Sequence, residues 1–126
     1  MRKNTFKKRE RLNSRKTIEK LFAEGNTFTV HPYRVFWLTN DNQDTYLKFA
    51  ISIPKKKFKK AVDRNLLKRR TREAYRTQKH DLLETLHMHN KKISFFLVYL
   101  DNAIVPYSII EEQINKILEK LKNSVI

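Results

Sequence analysis

The chain has no cysteine, one glycine and three prolines in 126 residues. Without cysteine there are no disulfides, no thiolate metal sites and no cysteine nucleophile, as suits a reducing compartment. Little glycine and proline argues against disorder. With 40% hydrophobic and 11% aromatic residues, the chain has the material for a core. No apolar run approaches the roughly 20 residues of a membrane span, and the basic start from Met1 to Arg9 lacks the apolar stretch of a signal peptide. A cytoplasmic protein is expected, with no membrane partner. Acidic residues are scarce too: 13 Asp and Glu face 28 Lys and Arg, for a net charge of +15 and an isoelectric point near 10.2. That imbalance points to a polyanionic partner. The length fits one domain, 1–126, of which residues 1–13 form a basic leader free to be flexible.

The positive charge is segregated. Residues 1–20 hold nine basic and two acidic side chains, and residues 55–76 hold eleven and two. Residues 21–54, 77–100 and 101–126 carry −1, +1 and −1. Segregation marks a binding face rather than general solubility.

Along the chain, Ser14 is placed to cap a short helix with Ile18, Leu21 and Phe22 at helical spacing, ended by Gly25. Thr27 to Val30 is β-prone, and His31-Pro32 punctuates it. Tyr33 to Thr39 alternates Tyr33, Val35 and Trp37 with Arg34, Phe36 and Leu38, so both faces look partly buried. A polar turn at 40–44 precedes a strand at 46–53, which Pro54 stops. A long helix is expected from Ala61 or Asp63 to about Leu86, with Asp63 as a cap. The apolar run 93–100 reads as a strand buried on both faces. Ser108 to Glu111 has the form of a capping box, and Ile110, Ile114, Ile117, Leu118, Leu121 and Val125 keep one stripe thereafter. The order α-β-β-β-α-β-α is an α+β two-layer sandwich. If the strands at 46–53 and 93–100 are parallel, they form a β-α-β crossover.

The central helix carries the chemistry. At about 100° per residue from Arg64, Lys68 lies near ~40°, Arg72 near ~80°, Asn65 near ~100°, Arg76 near ~120° and Arg69 near ~140°. Leu67, Thr71, Ala74 and Tyr75 fall within the remaining sector from roughly 280° through 20°, and Leu66 and Arg70 at its margins. The helix can therefore pack on a sheet while presenting five cations outward. Like charges at i, i+4 cost roughly 0.2–0.5 kcal/mol per pair, and no acid on that face relieves them. A solvated charge run is the ordinary fate of such a face. Arg, whose planar fork suits phosphate oxygens, and Asn65, which can bond bases or sugars, favour nucleic acid instead.

The segment Val62-Asp63-Arg64-Asn65-Leu66-Leu67-Lys68-Arg69-Arg70-Thr71-Arg72-Glu73-Ala74-Tyr75 resembles the signature helix of the bacterial ribonuclease P protein component family. Arg9-Glu10-Arg11-Leu12, Leu21-Phe22 with Gly25, and Ser52-Ile53-Pro54-Lys55-Lys56 follow that family's order and spacing. The resemblance implies a ribosomal protein S5 domain 2-like fold with a left-handed crossover. It also implies a protein that assembles with a catalytic RNA and helps it cleave precursor tRNA at the mature 5′ end. By that likeness Arg64, Asn65, Lys68, Arg69, Arg72 and Arg76 dock on the RNA subunit. Ile18, Phe22, Phe36, Lys55, Lys56, Arg9 and Arg11 bind the single-stranded 5′ leader in a cleft between the first helix and the sheet. Leu66 stands where the family usually has Arg, and Ile18 where it commonly has an aromatic. The implied protein holds no metal or cofactor by itself, Mg2+ belonging to the RNA-containing holoenzyme, and needs no obligate protein partner.

A self-sufficient nuclease would need clustered acids for metal or proton transfer, and Asp41, Asp44 and Asp63 suit turns and a cap instead. No protein catalytic residue is expected. His80, His87 and His89 read as polar surface. The alternative is a non-catalytic RNA binder such as a ribosomal protein. A membrane-surface binder fits less well, because the apolar side of the central helix is needed for the core.

Overall fold

The computed structural model describes residues 10–126. Helix α1 (Arg15–Glu24) starts at Ser14, whose hydroxyl oxygen accepts from the Thr17 amide at 3.4 Å. Gly25 ends it without a left-handed turn, since its φ is −69°. Glycine is needed there for space: a Cβ on residue 25 would stand 2.4 Å from the Leu21 carbonyl oxygen.

Strands β1 (Asn26–Val30) and β2 (Tyr33–Thr39) form an antiparallel hairpin around the cis peptide His31–Pro32. Strands β3 (Leu47–Ser52) and β4 (Ile93–Tyr99) complete a sheet of order β1-β2-β4-β3. β4 runs antiparallel to β2 and parallel to β3, so the crossover is present. As an interior strand, β4 needs apolar residues on both sides. Ile93, Phe95 and Leu97 face one core, and Phe96 and Val98 the other.

The crossover contains two helices where one was expected, α2 (Ala61–Gln78) and α3 (His80–Met88). The break falls at Lys79, whose side chain is only 2% exposed. Its Nζ donates to both Glu10 carboxylate oxygens, at 2.7 and 3.0 Å, and lies 5.8 Å from the Tyr75 ring centroid. Apolar spacing continues across the junction through Leu82 and Leu86, so periodicity alone gives no sign of it. Asp63 is not the cap; α2 begins from Lys60, and Asp63 sits in its first turn, where a carboxylate meets the positive helix end. Nor does Ser108 cap the last helix. α4 (Tyr107–Val125) begins from Pro106, an extended residue at the N-cap with no side-chain cap bond.

Helices α2, α3 and α4 pack on one face of the sheet, with Tyr33, Phe49, Tyr75, Phe95, Leu97, Ile114 and Leu121 in the main core. This is the α+β sandwich expected from the pattern. α1 lies over β2 and β4 on the opposite face, where Leu12, Leu21 and Phe96 form a smaller cluster, and covers only part of it. Residues 10–13, the described part of the leader, are tied to the sheet and the crossover. Arg11 bridges to Phe49 beside β3, the Leu12 amide donates to the Phe49 carbonyl at 2.9 Å, and the Leu12 side chain is buried. Arg9 lies outside the described residues.

Candidate nucleic-acid interface

Leu67, Thr71, Ala74 and Tyr75 are the buried residues of α2, the sector the helical wheel assigns to the core. The opposite face carries Asn65, Lys68, Arg69 and Arg72, and among the described residues no ion pair engages these three cations. Two other expected members are engaged locally. Arg64 is half-buried and donates from Nη1 to the carbonyls of Phe58 at 2.7 Å and Lys59 at 3.0 Å, fastening the loop that enters α2. Arg76 grips Glu73 in a fork, with Nε to Oε2 at 3.0 Å and Nη2 to Oε1 at 2.6 Å. That bond holds the Glu73 carboxyl below its usual range and raises the Arg76 guanidinium. The cationic face is therefore relieved by an acid at its C-terminal end, contrary to the expectation that none did so. Marginal Arg70 donates to the Val105 carbonyl at 3.2 Å.

Arg72 borders a groove of about 290 Å³ that runs between α1, the segment 11–13 and β3. Arg11, Leu12, Asn13, Ile18, Ala50 and Phe96 are among its other walls. Partial burial, then the like charge of Arg11, pulls the Arg72 guanidinium below its ordinary value. The helix face and the leader groove, expected as separate sites, are thus continuous at Arg72 and Arg11. Both guanidinium groups border the groove at that junction.

Beside this groove, Phe22 packs on Phe36 with ring centroids 4.7 Å apart and on Phe96 at 5.2 Å. Phe22 is 48% exposed, so it is a surface ring rather than a core residue. Phe36 is half-buried beneath it. Phe96 was not among the sequence candidates, hidden in an unbroken apolar run. The available signal was alternation: in a strand buried on both sides, Phe96 shares a side with Val98 and sits opposite Phe36 on β2. Lys55 and Lys56 are exposed in the turn beyond β3 and are not among the groove-lining residues.

Among the described residues no three His, Asp or Glu side chains converge to hold a metal ion, and no helix is long and apolar enough to cross a membrane. His87 is exposed and meets the Tyr46 ring at 5.3 Å, and His89 is exposed.

A family model described as Ribonuclease P matches residues 6–122. The ribonuclease P protein component of Porphyromonas gingivalis is 33% identical over 119 residues, covering 94% of this chain and 87% of that protein. That of Petrotoga mobilis is 32% identical, covering 97% of this chain and 99% of that protein. The solved RNase P protein of Staphylococcus aureus superposes with a TM-score of 0.72 at 19% identity, covering 88% of this chain and 94% of that one. The RNase P protein of Thermotoga maritima gives 0.69 at 23%, covering 88% and 96%. The two structures speak for the fold, and the sequence matches, which run nearly end to end, place the chain in the ribonuclease P protein family.

Proposed function

We propose that this chain is the protein subunit of ribonuclease P, which binds a catalytic RNA and the 5′ leader of precursor tRNA and assists endonucleolytic maturation of the tRNA 5′ end. The observation that carries this reading is the junction of the cationic α2 face with an aromatic-edged groove at Arg72 and Arg11. A folded RNA laid on α2 would deliver a single strand straight into that groove.

In this reading Asn65, Lys68, Arg69 and Arg72 contact the RNA subunit, and Arg76 joins them by exchanging Glu73 for a phosphate oxygen. Arg64 serves the same surface by fixing the entering loop. Ile18, Phe22, Phe36 and Arg11 receive the leader, whose unpaired bases gain about 1–3 kcal/mol each from stacking on aromatic rings. Lys55 and Lys56 meet phosphates outside the groove. The RNA performs the cleavage, Mg2+ belongs to the RNA-containing particle, and the assembly works in the cytoplasm without a further protein.

Reconstitution tests the proposal. The purified protein, mixed with the ribonuclease P RNA of its own organism, is expected to stimulate cleavage of precursor tRNA at low magnesium. Cleavage no faster than with RNA alone would instead favour a ribosomal-protein type of RNA binder.

A further inference from the structure

The uncovered part of the sheet face that bears α1 extends past the Phe22–Phe36 pair to β1. Arg34 projects there from β2 on the same side as Phe36, and the exposed residues Thr27 and Thr29 flank it on β1. The Arg34 guanidinium lies over the Phe36 ring, with Cζ 5.5 Å from the centroid, and its Nε donates to Thr27 Oγ1 at 3.4 Å. Phe36 is thus flanked by the Phe22 ring and the Arg34 guanidinium. Residues 21–54 contain only two basic side chains, Arg34 and Lys48. Lys48 is paired with Asp44 at 3.2 Å, whereas no ion pair among the described residues engages Arg34.

We propose that Arg34, held over Phe36, is a further leader-binding residue, which holds a phosphate of the 5′ leader farther from the cleavage site than the nucleotides in the groove. The inference rests on the leader reading above. A strand entering at Arg11 and Arg72 on the β3 side passes beside Phe96 and the exposed Phe22 ring over Phe36 before it reaches Arg34 on β2. From β3 to β2, which bears Arg34, the sheet spans two strand spacings, roughly 10 Å at about 4.8 Å each, a path for a short run of splayed nucleotides. A guanidinium held over an aromatic ring keeps N–H groups to offer outward, where they fit phosphate oxygens and leave the base unspecified. The contact should therefore favour longer leaders regardless of their sequence.

The test uses the reconstituted holoenzyme and precursor tRNAs whose leaders increase one nucleotide at a time. Arg34→Gln is expected to bind leaderless tRNA and the shortest leaders as wild type does. Beyond a threshold length it loses roughly three- to tenfold in affinity, together with about 0.7 in the slope of log affinity against log salt. Arg34→Lys should keep the salt slope and recover only part of the affinity, because it keeps the charge and loses the planar fork. Thermal melting matched to wild type checks that each variant folds. A loss equal at every leader length, or none at any, overturns the assignment of Arg34. If the wild-type particle itself does not distinguish leader-bearing from leaderless tRNA, the leader site fails and Arg34 with it.

Discussion

Thr71 shows how much one side chain settles. It lies fully buried on the inner side of α2 and donates its hydroxyl to the Leu67 carbonyl at 2.8 Å, so the Tyr33 hydroxyl, 2.6 Å away, must donate to it. Burial pushes the Tyr33 phenol well above its usual range, with Thr71 opposing the shift, so Tyr33 keeps its proton. The two partners are therefore unequal. Tyr33→Phe removes one bond and leaves Thr71 still donating, at a cost of about 1 kcal/mol, whereas Thr71→Val strands a buried hydroxyl and costs roughly 1–3 kcal/mol. Denaturant unfolding of both variants should rank Thr71→Val as the less stable, and the reverse order would refute the assigned proton. The side of α2 on which Thr71 falls was legible from the helical wheel. The pairing of Arg76 was missed, although Glu73 stands three residues before it, within reach on a helix. The fate of Arg64 was not legible, because its acceptors are main-chain carbonyls placed by the loop at 58–59.

At the scale of elements, strands and helices followed their periodicities, and the errors fell at junctions. The hidden break between α2 and α3 is the instructive one. Lys79 leaves the expected helix because its ammonium is turned inward to Glu10, 69 residues away in sequence, and no local pattern records such a partner. The pair also ties residue 10 to the crossover and so sets Arg11 beside Arg72. Removing one partner of a buried ion pair leaves the other charge uncompensated, at about 3–5 kcal/mol. Glu10→Gln and Lys79→Met should each lower the unfolding free energy by roughly that amount. The double variant should be less destabilised than the sum of the two. Additive losses in that cycle would show that the ions act separately.

Across the whole molecule, the charge segregation in the sequence becomes a division of surfaces, and it makes the response to salt specific. Each phosphate contact released should change the slope of log affinity against log salt by about 0.7–0.9. Lys68→Ala, Arg69→Ala and Arg72→Ala are expected to flatten the slope for the RNA subunit one contact at a time. Arg64→Ala, which loosens a loop, should leave it nearly unchanged while lowering the melting temperature. Titrations of the four variants at several salt concentrations decide between them. Composition pointed to a polyanionic partner. It could not foretell that helix face and groove would join, because Arg11 and Arg72 meet only through the tertiary fold.

The sheet order has one more consequence. β2 and β3 follow each other in sequence yet share no hydrogen bonds, because β4 fills the place between them. During synthesis the nascent chain must hold the hairpin and the future edge strand apart until residue 99 has left the ribosome. The lysines before α2 and α2 itself, which together hold the charge of residues 55–76, emerge before the strand that completes the platform under the helix. For that interval the emerging segment is a polycationic tether, and it becomes a folded surface only when β4 and then α4 arrive to close the core.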